Sequence, residues 1–229
     1  MEPYYQENNA TIYLGDSHEI LPEIMHTFPS NVVVVTDPPY VLNMESSYLK
    51  RGDTLEWWAD MMNTGRTFSH LMKIIRKVVE NSGHVWWFTS FQGIPSVLRG
   101  ADLSRMFPLD LVTWWKAGGP RGYGVGKESE YVILMGPRRK PIPGGGMMRG
   151  VVKCSRSNQT PHPAEKPVEL LRQLMNVGDA PGLILDPFMG SGSTLVAAQE
   201  LGIPSVGIDC TEKWAEVAKA RIAQGALFG

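Results

Sequence analysis

Only two cysteines occur in the 229 residues, Cys154 and Cys210, and they are far apart in sequence. That excludes a framework of disulfide bridges and any cysteine-based metal spacing, and it points to a reducing, cytoplasmic setting. No apolar run is long enough to cross a bilayer, and the N-terminus is polar through Gln6, Glu7, Asn8 and Asn9. Neither a membrane partner nor a secretory signal is therefore expected. No Gly-Lys-Ser/Thr triplet is present, so the chain has no nucleoside-triphosphate loop. His162 has no second ligand near it in sequence, and no metal is expected. Internal repeats and low-complexity tracts are also missing.

The chain has an ordinary globular composition, 43% hydrophobic and 20% charged. Its length suits one α/β domain, 1–229, with a small insert. Net charge is only −1, but it is unevenly spread. Residues 115–160 hold nine basic and two acidic side chains, +7; the rest holds 13 basic and 21 acidic, −8. A basic window on an acidic body is the pattern of a localised phosphate-binding face. A solvated, charged loop is the bland alternative.

Apolar spacing predicts strands at 12–14, 32–36, 85–88, 111–115, 131–135, 183–185 and 205–208. Helical spacing is predicted at 18–26 with Ser17 as cap, from 54 to 79 with a break near Gly65, and at 94–98. Further helices are predicted at 164–177, 192–201 and 212–224. Residues 136–161 are rich in proline, glycine and basic side chains and read as an irregular basic insert. Strands alternating with helices give an α/β sandwich.

Two strand ends carry chemistry. Val32-Val33-Val34-Val35 reads as a buried parallel strand and runs into Asp37-Pro38-Pro39-Tyr40. Leu183-Ile184-Leu185 runs into Asp186-Pro187-Phe188-Met189-Gly190-Ser191-Gly192-Ser193-Thr194. Ligand sites in open α/β sheets lie at the carboxyl ends of strands. Gly190 and Gly192 permit close backbone approach, and the following helix presents free amides to the turn. A compact ligand bearing a carboxylate suits that helix start. Asp209 closes the next strand, about twenty residues on, where an acidic side chain usually accepts from ribose hydroxyls. A plain strand-turn-helix corner with a structural Asp is the alternative.

The Asp-Pro-Pro-Tyr and Phe-Met-Gly-Ser-Gly stretches resemble those of the S-adenosylmethionine-dependent DNA amino-methyltransferases. The tetrapeptide precedes the cofactor turn, and His162-Pro163-Ala164-Glu165-Lys166-Pro167 lies just before that turn, an order similar to the β class. The resemblance covers 12–222. It implies a circularly permuted Rossmann-like methyltransferase fold, with a mixed, mostly parallel seven-stranded sheet and helices on both faces. Residues 33–36 and 183–186 should be neighbouring strands. It implies S-adenosylmethionine as cofactor, S-adenosylhomocysteine as product, and N6 methylation of adenine in DNA.

In that family role, Asp37 and the Pro38 carbonyl accept from the target amine, held in place by Pro39, and Tyr40 stacks on a flipped base. Phe188, Gly190, Ser191, Gly192 and Ser193 surround the cofactor's methionine end, with Asp186 at the head of the turn. Asp209 holds the ribose, Asp16 accepts from the cofactor adenine, and Lys166 meets the methionine carboxylate. Asp16 as a strand-end cap, Phe188 as core and Lys166 as a solvated helix-start residue remain the alternatives. Trp214 has helical spacing with Val217 and Ala218 and reads as core, and His162 reads as structural or as a DNA-backbone contact.

Arg121, Lys127, Arg138, Arg139, Lys140 and Arg149 are the candidate DNA-binding side chains. The insert is shorter than the recognition region of restriction-linked members, and Ser129-Glu130 stands where they often have His-Glu. Both departures imply short or relaxed sequence recognition. Related enzymes are often dimers, so a homodimer is expected by analogy. Cytosine N4 methylation is the nearest alternative. A non-catalytic nucleic-acid-binding relative, and an RNA or small-molecule methyltransferase, are the others.

Overall fold

A computed structural model describes residues 1–38, 68–116, 118, 126–142, 144, 148–157, 159–162 and 164–225. Among these, nine strands form one sheet in the order β1-β2-β9-β8-β3-β4-β6-β5-β7. They are β1 (Tyr5–Glu7), β2 (Ala10–Leu14), β3 (Val32–Thr36), β4 (His84–Thr89), β5 (Phe107–Trp115), β6 (Ser129–Gly136), β7 (Val151–Lys153), β8 (Leu183–Asp186) and β9 (Ser205–Asp209). The helices are α1 (Ser17–Ile24), α2 (Phe68–Val78), α3 (Ile94–Ser104), α4 (Val168–Met175), α5 (Ser193–Glu200) and α6 (Glu212–Gly225).

The central strands β2, β9, β8, β3 and β4 are parallel, and β6 joins β4 antiparallel. The predicted adjacency holds, because Val32 pairs with Leu183 and Val34 with Leu185. From β3 the chain crosses over to β4; from β8 it crosses over to β9 on the other side. The boundary between β3 and β8 is therefore the topological switch point, where such sheets open a crevice.

Val32, Val33, Val34 and Val35 are all buried because both sheet faces are covered. Val32 and Val34 pack with Leu21, Leu71, Ile75, Val97 and Ala101 of α1, α2 and α3. Val33 and Val35 pack with Leu170, Leu171, Leu174 and Ala197 of α4 and α5. A third cluster places α6 against β2 through Ala215, Ala218, Ile222 and Ile12.

The sheet has nine strands where seven are expected. The additions are three-residue edge strands, too short to leave an apolar period. Asn8 and Asn9 take φ of 51° and 63°, the left-handed pair that closes a two-residue hairpin between β1 and β2. β7 lies inside the basic insert and pairs with β5, so 136–161 is not wholly irregular. Asp16, not Ser17, caps α1: its carboxylate accepts from the His18 amide at 2.8 Å. α3 runs on to Ser104, well past 98, and stops at Arg105 in the left-handed region. α4 starts at Val168 rather than 164, because Pro167 disfavours helical geometry at Lys166. Helical residues expected from 54 to 67 lie outside the described residues.

Candidate functional site

β3 and β8 deliver two carboxylates to the same end of the crevice: Asp37 follows Thr36, and Asp186 closes β8. Asp186 is buried and receives the Phe188 amide at 3.0 Å. Burial pushes its carboxyl up to about 7, the charge on Asp37 adds to that, and the Thr194 hydroxyl and Phe188 amide oppose it. Pro38 is buried beside Asp37. Pro39 and Tyr40 lie outside the described residues.

The turn after β8 is built around two left-handed glycines. Gly190 has φ of 51° and Gly192 φ of 77°. A side chain on Gly190 would sit 2.9 Å from His162 Nε2, and one on Gly192 would sit 2.7 Å from Ala218 Cβ. The turn is closed by the Gly192 amide to the Met189 carbonyl at 2.8 Å and held to β9 by the Met189 amide to the Ile208 carbonyl at 3.0 Å. Ser17 Oγ donates to the Pro187 carbonyl at 2.5 Å. That bond is why Ser17 is buried and unused as a cap. Gly192 caps α5 with no side chain, so the first amides of α5 remain available to an anion.

Asp209 faces the same turn. Its carboxylate accepts from the Gly190 amide at 3.0 Å and the Thr211 amide at 2.8 Å. Burial raises its pKa, and those two amides work against the rise. Each carboxylate oxygen has a second lone pair with which to accept a hydroxyl. β2 lies next to β9 with Leu14 opposite Asp209, so Asp16 follows two residues beyond the level of Asp209. His18 Nδ1 lies 2.9 Å from the Asp16 carboxylate. Two strand-end carboxylates, a glycine turn and an open helix start form one continuous rim. That donor and acceptor set fits the adenosine, ribose and amino-acid carboxylate of S-adenosylmethionine.

Lys166 is not the solvated residue that its sequence position allows. It is 8% exposed, and its ammonium bonds the Asp37 carboxylate and lies 3.4 Å from Glu130 Oε2. Burial alone lowers the Lys166 pKa, but the carboxylates of Asp37 and Glu130 outweigh it and the pKa ends above the ordinary lysine value. Glu130 in turn meets Lys116 Nζ at 2.6 Å. Lys116, counted from sequence with the basic surface, is buried.

Two further residues depart from expectation. Trp214 is half-buried rather than core, and the His162 ring meets it edge-on at 4.4 Å between centroids. Burial, reinforced by Lys166, lowers the His162 pKa to about 4. Arg221 of α6 has no role that the sequence alone suggests. Its guanidinium donates to the Ser191 carbonyl at 2.8 Å and to Ser193 Oγ at 3.0 Å, and pairs with Glu165 at 3.3 Å. It thereby joins the glycine turn to the segment carrying His162 and Lys166. Only its place on the buried side of an amphipathic helix hints at this.

The candidate DNA-binding residues do not share one surface. β6 is antiparallel to β4, with Tyr131 opposite Thr89 and Met135 opposite Val85. Exposed Lys127, just before β6, is therefore at the Asp37 end of the sheet. Exposed Arg138, Arg139 and Lys140 follow Gly136 at the other end, where Arg139 lies over the Phe107 ring at 5.7 Å. Exposed Arg149 precedes β7. Lys153 and Arg156, exposed at and after the end of β7, lie toward the Asp37 end, since Lys153 pairs with Trp115. Arg121 lies outside the described residues. No cluster of metal-ligating side chains occurs among the described residues, and no helix there is long and apolar enough to cross a membrane.

A Rossmann-like mixed sheet with a carboxylate turn and a glycine turn at its switch point is the arrangement expected of a methyltransferase that uses S-adenosylmethionine. A family model for N6/N4 methyltransferases, described as DNA methylase, matches residues 32–220. The chain is 26% identical over 260 residues to the Type II methyltransferase M2.LlaDCHI of Lactococcus lactis subsp. cremoris, covering 100% of this chain and 94% of that protein. Its fold matches the M1.HpyAVI–SAM complex with a TM-score of 0.67 at 23% identity, covering 93% of this chain and 99% of that one. It matches the cytosine-N4-specific PvuII DNA methyltransferase with a TM-score of 0.71 at 18% identity, covering 96% and 88%. The chain belongs to the N6/N4 DNA methylase family; its activity is DNA methylation with S-adenosylmethionine as donor.

Proposed function

We propose that the protein methylates the N6 amine of a flipped adenine, with short or relaxed sequence recognition. The observation that carries this is the placement of Asp37 on the strand beside β8, whose turn holds Gly190, Gly192 and the Asp209 contacts. An exocyclic amine is a weak nucleophile because its lone pair is delocalised into the ring. Asp37 and the Pro38 carbonyl accept its hydrogens and free that lone pair, and Tyr40 stacks on the base. The cofactor supplies a methyl group on a sulfonium. Asp37 takes the amine proton as positive charge develops on nitrogen, and near-attack geometry lowers the barrier further. Asp209 receives the ribose, Asp16 the adenine, and the amides at the start of α5 the methionine carboxylate; Phe188, Ser191 and Ser193 line the path between them.

Asp at the head of the tetrapeptide supports adenine. Cytosine N4 is the second reading, favoured by the fold match to PvuII DNA methyltransferase. Mass spectrometry of digested product DNA separates them: N4-methylcytosine without N6-methyladenine replaces the first reading by the second. Tritium transfer from labelled cofactor should fall by about 10²–10⁴-fold in Asp37→Ala; equal incorporation by variant and parent removes Asp37 from the chemistry. Methylome sequencing tests recognition, and marks confined to a single site of about six or more base pairs would overturn relaxed recognition. A cytoplasmic location and a homodimer complete the proposal; a monomer mass in light scattering would remove the dimer.

A further inference from the structure

The geometry assigns Lys166 as the positioning residue of the Asp37 carboxylate, held in place by Glu130 and Lys116. This assignment rests on the reading of Asp37 as the acceptor of the target amine. It replaces a role for Lys166 as anchor of the cofactor's methionine carboxylate.

The four side chains alternate in sign. Lys116 meets Glu130 Oε1 at 2.6 Å, Glu130 Oε2 faces Lys166 at 3.4 Å, and Lys166 bonds Asp37 Oδ2. They come from four places: the end of β5, the start of β6, the segment before α4 and the end of β3. Lys116 and Lys166 are each 8% exposed. An isolated buried ammonium is costly, and so is an isolated buried carboxylate. Alternation offsets both costs, and leaves the chain neutral as a unit. The ammonium groups also lie over aromatic faces, Lys116 at 5.4 Å from Trp114 and Lys166 at 5.3 Å from Phe88. Lys166 Nζ further lies 3.4 Å from the Ala164 carbonyl. The ammonium thus donates to Asp37 and to the Ala164 carbonyl and faces the charge of Glu130, which together fix where it sits.

The pairing matters because Asp37 and Asp186 end neighbouring strands. Two carboxylates at one site compete for a proton, and their environments decide which one holds it. Asp186 is buried without a cationic partner among its described contacts, and its carboxyl is raised to about 7. Asp37 has the Lys166 ammonium. The arrangement keeps Asp37 charged, hence acceptor-only, which is the form that receives an amine N–H. The charged and titratable groups facing Lys166 are Asp37, Glu130 and His162, with Lys116 behind Glu130. Of these, only Asp37 stands at the switch point.

The test compares the parent protein with Lys166→Met and Lys166→Arg. Cofactor affinity is measured by calorimetry without DNA, and single-turnover transfer is followed against pH with both substrates saturating. Lys166→Met should keep cofactor affinity within about twofold, slow transfer at neutral pH by about tenfold or more, and move the acid limb of the profile upward by about one pH unit. Lys166→Arg, which keeps the charge, should return the limb toward its original place. A tenfold or greater loss of cofactor affinity with an unmoved acid limb would make Lys166 a cofactor anchor and overturn the assignment. An NMR titration of labelled lysine side chains needs no turnover and covers a poorly folded Lys166 variant. One lysine resonance should titrate at lower pH in Asp37→Asn than in the parent, and no change overturns the pairing. Absence of methyl transfer by the parent protein, with this lysine response intact, defeats the function and not the ion pair.

Discussion

Arg221 of α6 donates to the Ser191 carbonyl at 2.8 Å, so a helix on the outer layer holds the middle of the glycine turn. The same guanidinium pairs with Glu165, whose side chain is 1% exposed. Removing it leaves the turn without its clamp and Glu165 without its cation. Arg221→Met should therefore weaken S-adenosylmethionine binding by about tenfold, the worth of one charge-assisted hydrogen bond. It should also lower unfolding free energy by about 3 kcal/mol, the usual effect of stranding one buried partner. Calorimetry and urea denaturation read the two effects separately. Unchanged cofactor affinity would show that the turn keeps its shape without the clamp.

Gly192 carries a different constraint. Its φ of 77° suits glycine, and an added Cβ would sit 2.7 Å from Ala218 Cβ. Gly192→Ala should cost about 2–3 kcal/mol, combining left-handed strain with overpacking. Ala218→Gly alone should cost about 1 kcal/mol as a helix glycine. The double variant should lose less than the sum of the singles, because the contact with the Ala218 Cβ is removed and the strain and a 3.1 Å contact with the Ala218 Cα remain. Strict additivity in urea melts would mean that α6 yields at Ala218 and that this close approach does not set the turn.

The two basic surfaces make a third prediction. Lys127, Lys153 and Arg156 are exposed toward the Asp37 end of the sheet, while Arg138, Arg139 and Lys140 follow the far end of β6. From Tyr131, opposite Thr89 at the end of β4, to Gly136 is five residues, or about 17 Å of strand. Replacing the near trio with alanine should reduce the salt dependence of DNA binding by about 0.9 in log–log slope for each phosphate left without its cation. Replacing the far trio should change the slope by less than the value for a single phosphate. The reverse result in salt-titrated fluorescence anisotropy would move the DNA to the opposite end of the molecule.

The strand cores and the two turns that follow them were legible because each is local. Val32-Val33-Val34-Val35 before Asp37, and Leu183-Ile184-Leu185 before Asp186, announce buried parallel strands and their carboxyl ends without any tertiary information. What sequence hid was pairing across the sheet. Lys116 reads as part of the basic surface, and Lys166 as a cofactor contact or a solvated helix-start residue, until Glu130 is placed between them. Ser17 reads as a cap because its bond to the Pro187 carbonyl spans 170 positions. The insert resembles one surface because sequence proximity conceals the reversal of direction in β6. Three-residue strands such as β1 and β7 carry no period to detect, although Asn8-Asn9 is a hairpin signal that a search for two-residue turns finds.

His84 opens β4, 4% exposed, its ring edge-on to Trp86 at 5.8 Å and its Nε2 without a hydrogen-bond partner among the described residues. Burial lowers its pKa to about 4 from an ordinary 6.5. Between those values the unfolded chain binds a proton that the folded chain refuses. Stability therefore rises with pH across this window and falls as pH drops through 6.5 toward 4. The loss attributable to His84 between about pH 7.5 and about pH 5 is roughly 2 kcal/mol. Asp186, raised to about 7, acts in the opposite sense, because it prefers its neutral form when folded. The difference between parent and His84→Gln isolates the histidine from such carboxylates. Urea denaturation at both pH values should show the variant losing about 2 kcal/mol less than the parent on acidification. Equal losses would mean that His84 takes up its proton in the folded state, which requires water to reach the start of β4.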